Sequence, residues 1–358
     1  MAGLYDWLAV NADTIDQSEA LADEIMPALA AQGCFLAGVP AHLGGSGGDV
    51  RDAIEGIAEV ARHSVTAAFV YWGQRSFIEY LLQSPNAALR ERLLPQLLAG
   101  TLAGATGLSN AMKFLSGMEP LQIDAEPDRD GDGWSLNGKL AWITNLRPQR
   151  FVAAAAVAPV NGAPAAVVAF ASDAAGVQRS ANLQLIALRG SNTAAVRLEA
   201  VAIAPENIIS SQAPDWLPRV RPAFLGMQCG MSIGLAQASL EQAARTLDSG
   251  AKGRGQLGLR VAAAREALAL HTREMLEGVT DGRFVADAPT LFRLRIALAE
   301  LVQQALTLEL HAKGGHAYLE QEQDGFARRW RESAFIPVIT PSITQLQAAL
   351  DKFAASTQ

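Results

Sequence analysis

Charge, aromatic rings and cysteine are all scarce in this chain. Of 358 residues only 18% are charged and 6% aromatic, and two are cysteines. Cys34 and Cys229 stand too far apart to form a metal-ligand pair, and they read as buried thiols of a reducing compartment. Neither His42 nor His316 has a ligand companion at helical spacing, and His271 and His311 fall on helical stretches that suit a structural imidazole. No Ser-His-Asp or Cys-His arrangement can be read, and no metal is expected. Long apolar runs are missing too. The nearest, "FVAAAAVAPV", is broken by Pro159, so no membrane span is expected. The N-terminus "MAGLYDWLAVNADTID" has early acids and lacks a basic-then-apolar layout, so no signal peptide is read. A net charge of −7 gives no general attraction to nucleic acid or anionic lipid. These absences point to a soluble cytoplasmic protein.

What is present is apolar bulk: half the residues are hydrophobic, mostly Ala, Leu and Val, in a chain long enough for two or three domains. Up to residue 104 the period is helical. "DVRDAIEGIAEVARHS" has Asp49 as its cap, and "VPAHLGGSGGDV" is a loop by its glycines and Pro40. From 105 to 212 short runs such as "WSLNGKLAWITN", "RFVAAAAVA" and "AAVVAFAS" predict strands, with a hairpin turning at Asn137-Gly138. After "APDWLPRVRP" the helical period returns. The expected fold is a multidomain α+β chain: an N-terminal helical domain (1–104), a middle antiparallel, barrel-like β-domain (105–212) and a C-terminal four-helix bundle (213–358). Helices, then strands, then helices argue against a doubly wound sheet. No GxGxxG sits between a strand and a helix, and no Walker A motif occurs.

That order brings several motifs into register. "GVPAHLGGSGG" is similar to a Gly-x-Pro-x-x-x-Gly-Gly-x-Gly loop, and "GKLAWITN" to a Gly-x-Lys-x-Trp-Ile-Thr-Asn strand. "LRGSNTAAVRLEAVAIAPENII" looks like an Arg-Gly-Ser-x-Thr segment with its following strand. "GLAQASLEQAARTLDSGAKGRGQLG" is similar to a long helix ending in Arg-x-x-Phe-Gly, and "HAKGGHAYL" and "RRWRESAFIPVITPSITQLQ" resemble the closing segments. Together they resemble the acyl-CoA dehydrogenase family of flavoproteins over nearly the whole chain.

The resemblance implies FAD as cofactor, with Thr144 donating near the flavin N5 and Trp142 packing beside the isoalloxazine. A strand end with a core Trp explains the octet alone equally well. Ser109 in "TGLSNAMK" stands where the family has Thr and keeps a hydroxyl for the flavin's pyrimidine edge, while Asn110 replaces a Glu. Arg254 and Gln256 match positions that reach the adenosine diphosphate half of FAD on a neighbouring subunit, as an alternative to a solvated loop. Gly314 and Gly315 match a pair where backbone passes the same cofactor, as an alternative to a helix C-cap. Gln345 matches a polar residue at the adenosine. A homodimer or homotetramer and a small acyl substrate, such as a CoA thioester, follow from the same resemblance. The electron acceptor stays open.

One departure is sharp. The family's dehydrogenation takes a proton alpha to a thioester carbonyl, which requires a carboxylate there. The two positions that supply it correspond here to Pro341 and Gly255, and neither side chain can take a proton. Glu332 and Glu241 are nearby in sequence, but ion pairs with "RRWRE" or a solvated helix face suit them better, so no base is assigned. Three readings stay open. One is an FAD-dependent oxidoreductase acting on a CH–CH group of an acyl compound. Another is a flavin monooxygenase of the same fold, needing no alpha-proton base. The third is a flavin-binding scaffold without turnover.

Overall fold

Val65 to Leu81 is buried without interruption, and a helix with no polar face must lie inside the protein. This helix, α4 (Val65–Leu82), is the centre of an N-terminal layer with α1 (Leu4–Gln17), α2 (Ala22–Ala31), α3 (Val50–His63) and α5 (Ala87–Leu98). The computed structural model describes residues 3–115, 117–127, 133–248, 255–319 and 324–356. Asp49 caps α3 as expected, accepting from the Arg51 backbone N–H at 2.9 Å. Ser64 caps α4 by accepting from the Ala67 N–H at 3.2 Å. The glycine-rich loop is tied to α4 by Arg75, which donates to the carbonyls of Ala37 and Gly38 and pairs with Glu79 at 2.9 Å.

The middle layer holds β1 (Ala103–Thr106), a short helix α6 (Ser109–Leu115), β2 (Ile123–Pro127), β3 (Trp134–Ile143), β4 (Phe151–Pro159), β5 (Ala166–Ala171), β6 (Val177–Asn182), β7 (Ala194–Ile203) and β8 (Ile208–Ser210). The strands pair in the order β6-β7-β3-β2-β4-β5-β8, with β1 also on β4. The sheet is mixed where pure antiparallel pairing was expected, since β1 and β2 both run parallel to β4. The hairpin tip at Asn137-Gly138 is also corrected. Both residues lie inside β3, where Gly138 pairs with Ile123 on one side and Leu198 on the other. The register shifts between Leu136 and Gly138, and a Cβ at Gly138 would fall 2.3 Å from the Gln122 carbonyl. Asn137 stands opposite two residues, Glu199 and Ala200, so the bulge lies in β7, where Ala200 has a positive φ, and the Asn137 amide oxygen closes it by accepting from the Ala200 N–H at 2.9 Å.

The C-terminal layer contains α7 (Ala213–Asp248), α8 (Gly255–Thr280), α9 (Arg283–Ala286), α10 (Ala288–Lys313), α11 (Phe326–Ser333) and α12 (Ile343–Ser356). Helices α7, α8 and α10 pack on one another, α12 lies on α10, and α3 crosses over to pack on α7. The prolines of "APDWLPRVRP" lie within α7, upstream of the start expected from the sequence. Pro214, Pro218 and Pro222 are four apart, so the absent N–H of Pro218 and of Pro222 each faces the carbonyl of the proline one turn earlier. The missing bonds share one face and the helix continues. Among the described residues, no helix is long and apolar enough to cross a membrane.

Candidate functional site

The end of β3 is shaped by a second bulge. Its register shifts between Leu140 and Ile143, so Ala141 and Trp142 both turn outward while Ile143 stays in the core. Trp142 is left 63% exposed, which is unusual for so large a ring and marks a surface that expects company. Two residues on, the chain is locked. Asn145 adopts the left-handed conformation (φ 60) and is buried. Its amide donates to the Gln74 side-chain oxygen and to the Gly104 carbonyl, each at 3.0 Å. Gln74 in turn accepts from the Gly104 N–H at 2.6 Å and donates to the carbonyls of Leu97 and Leu102. One side chain thus clamps α4, β1 and the end of β3. Gly73 allows the approach: a Cβ there would stand 3.0 Å from the Thr144 methyl.

Between these elements lies a cavity of about 390 Å³, within the range of small-molecule sites. Phe69 and Trp72 of α4 face Phe335, Val338 and Ile339 of the turn after α11, while Ile186 and Leu188 form a further wall. Phe69 stacks on Trp72 with centroids 5.6 Å apart and meets Phe335 edge-on at 4.6 Å. The polar lining is a set of hydroxyls, from Thr106, Ser109, Thr144 and Thr193, together with Arg331. Three of these hydroxyls sit on a fixed support. Thr106 is paired with the buried Tyr80 hydroxyl at 2.7 Å, Thr193 with Ser191 at 2.7 Å, and Thr144 donates to the Ser191 carbonyl at 3.3 Å.

Ser109, Trp142 and Thr144 are therefore brought together on one cavity. The other site residues read from the sequence are not. Gln256 is exposed in the first turn of α8. Gly314 ends α10 in a positive-φ conformation, and among the described residues neither it nor Gly315 has a non-neighbouring atom within 4 Å of where a Cβ would stand. Gln345 caps α12, its side-chain oxygen accepting from the Ser342 N–H at 2.8 Å. Arg254 lies outside the described residues. Sequence reasoning missed Phe69, Trp72, Thr193, Phe335 and Arg331. The sequence of α4 interleaves Gln74, Arg75 and Glu79 with its rings, and nothing in it tells which of those rings borders a cavity.

Glu332 pairs within the "RRWRE" cluster, whereas Glu241 finds its partner outside it, in α3. Glu241 pairs with Arg62 at 2.9 Å. Glu332 is fully buried, accepts from the Val65 N–H at 2.9 Å and pairs with Arg328 at 3.1 Å. Burial is the main cause that pushes its carboxyl up from 4.5 to about 7. Among the described residues lining the cavity there is no carboxylate and no imidazole. The thiols of Cys34 and Cys229 are free, buried and each pushed up to about 12 by burial, which makes them unreactive. No group of three or more His, Cys, Asp or Glu capable of holding a metal occurs among the described residues.

Comparison with known proteins gives this architecture its place. Residues 6–101 match the family described as acyl-CoA dehydrogenase, N-terminal domain. The mitochondrial isovaleryl-CoA dehydrogenase of Pongo abelii is 26% identical over 216 residues, which is 58% of this chain and 50% of that protein. The chain thus spans about half the length of that relative. A glutaryl-coenzyme A dehydrogenase structure with glutaryl-CoA superposes with a TM-score of 0.77 at 19% identity, covering 99% of this chain and 95% of that one. A dibenzothiophene monooxygenase from Paenibacillus sp. A11-2 gives 0.76 at 17% identity, covering 99% and 96%. The N-terminal family match, the similar sequences and the shared three-layer fold agree: residues 6–101 match the acyl-CoA dehydrogenase N-terminal domain, and the chain as a whole has the fold of the acyl-CoA dehydrogenase structures.

Proposed function

We propose that this chain is a flavin-dependent oxidoreductase whose cavity at the end of β3 takes the flavin ring together with a small organic substrate. The observation that carries this reading is the lining itself: an outward-turned indole at Trp142, the hydroxyl of Ser109 and the supported hydroxyl of Thr144, beside an apolar floor. A flat, largely apolar ring with polar edges suits such a donor set. When bound, the flavin supplies two-electron redox chemistry. The chain's own residues orient it through Thr144 and Ser109, cover one face with Trp142, and exclude water with Phe69, Trp72 and Phe335.

FAD is the cofactor expected from kinship. Gln256, Gly314, Gly315 and Gln345, with Arg254, are proposed to meet its adenosine half across a dimer or tetramer contact. The exposure of Gln256 and Gly315, and that of Tyr318 at 91%, supports a role completed outside the single chain.

Kinship favours oxidation of an acyl-CoA or related acyl compound at its CH–CH group, with electrons passing to a separate acceptor. The cavity's lack of a carboxylate favours the second reading, flavin-dependent monooxygenation, because that chemistry requires no residue to take an alpha proton. Purified protein is predicted to be yellow. Anaerobic bleaching by a member of an acyl-CoA panel supports the dehydrogenase. Bleaching only through a flavin reductase, followed by an oxygen-dependent product, supports the monooxygenase. Colourless protein that does not take up FAD or FMN overturns both.

A further inference from the structure

Arg331 is the one cation among the described residues lining the cavity, and its guanidinium is only partly committed. Nε donates to Asp16 at 2.9 Å, Nη2 lies 2.9 Å from the same oxygen, and the exposed Asp13 carboxylate stands 3.9 Å from Nη2. Nη1 has no partner among the described residues, and the side chain remains 30% exposed. Asp16 is itself fixed: fully buried, it accepts from the Leu188 N–H at 3.0 Å, and Leu188 is part of the cavity wall. The neighbouring Arg328 is engaged elsewhere, with Glu332 at 3.1 Å and Asp13 at 3.5 Å. One guanidinium arm is therefore held in place at a cavity that is otherwise aromatic, aliphatic and hydroxylated. Such a fork, with two arms already oriented, recognises a carboxylate by charge-assisted hydrogen bonds at little further ordering cost.

We propose that Arg331 is a substrate-recognition residue and that the cavity takes a carboxylate carried on a compact aromatic or branched hydrocarbon body. The body rests on Phe69, Trp72 and Phe335, and Asp16 is the positioning residue behind the guanidinium. This deepens the proposed function by naming what the cavity recognises, and it rests on that reading for its catalytic meaning only.

Phenylacetate and its uncharged isostere phenylacetamide separate the charge from the ring. Titrated by calorimetry into the protein as purified, the acid is expected to bind about tenfold tighter than the amide. Arg331→Gln removes that preference while the amide still binds. Because Asp16 then loses its partner, Arg331→Lys is the safeguard. Its single ammonium stays with Asp16, thermal melting verifies the fold, and the acid preference again disappears. Equal binding of acid and amide overturns the proposal, as does failure of both to bind or a preference that survives Arg331→Lys. Visible absorbance keeps the two readings apart. Colourless protein that prefers the acid refutes the flavin reading alone, whereas yellow protein without the preference refutes this one alone.

Discussion

The cavity end of β3 and the surface around Gly314–Gly315 were read from the sequence as parts of one cofactor site, yet they are built in opposite ways. At the first, Gln74, Gly104 and Asn145 share a closed hydrogen-bond network and Gly73 admits Thr144 at contact distance. At the second, Gly315 and Gln256 are exposed, and among the described residues a Cβ on either glycine of the pair would meet no non-neighbouring atom within 4 Å. A group oriented within one chain has to be held by that chain's own interior. A group whose role depends on something beyond the chain can be left open, with small side chains that obstruct nothing.

Damage to the closed region should give the largest effect. Gln74→Leu keeps the volume but leaves the Leu97 and Leu102 carbonyls, the Gly104 N–H and one arm of Asn145 buried without their partner. Each such loss costs about 1–3 kcal/mol. Urea denaturation should therefore show a stability loss of at least about 3 kcal/mol, with bound flavin falling in parallel. A loss below about 1 kcal/mol would mean that the network does not hold the strand end.

A second effect concerns the wall behind the cavity. Burial is the main cause that raises Glu332 from 4.5 to about 7, so the folded protein keeps a proton that the unfolded chain has already released. Its contribution to stability is full below about pH 4.5 and is lost as pH rises towards about 7, by at most about 3 kcal/mol. Denaturation midpoints across that window should fall in the wild type. In Glu332→Gln they should become flatter, with a residual slope of the same sign from Asp16, whose carboxyl is also pushed up by burial. An unchanged slope would place the titration elsewhere.

What the sequence made legible follows the same division. Asp49 capping α3 and the glycine-rich loop were readable because a local rule decides each. The bulge opposite Asn137 was not, because the Asn137-Gly138 dipeptide also suits a hairpin tip. Which of the two forms is decided by Ala200 and Gln122, residues distant from the dipeptide or on another strand. The start of α7 was hidden by prolines that ordinarily break helices. Trp142 and Thr144 could be picked out through the resemblance carried by their octet, whereas Phe69, Phe335 and Arg331 meet only through packing of α4 against the turn after α11. That Pro341 and Gly255 carry no carboxylate was legible as well, since side-chain chemistry does not depend on the fold.

A smaller effect separates orientation from folding. Thr144→Val preserves shape and removes only the hydroxyl, whose partner in the chain is a single carbonyl at 3.3 Å. Stability should change by less than about 1 kcal/mol, while flavin affinity, followed by equilibrium dialysis, should weaken about tenfold if that hydroxyl holds the ring. Unaltered affinity and an unaltered visible spectrum would leave Thr144 as a structural residue.

The smallest effect on stability falls on the open region, and it tests the other half of the contrast. Gly315→Ala adds a methyl group where the single chain has room, and Gly315 is not among the positive-φ glycines, unlike Gly314. The folded chain should therefore tolerate it within about 0.5 kcal/mol. If backbone at this position passes close to a cofactor bound across a subunit contact, the same methyl should nevertheless lower flavin retention and shift the sedimentation profile towards smaller species. Wild-type retention and wild-type assembly together would show that the glycine is open because nothing approaches it. The adenosine half of the cofactor would then have to be sought on another face.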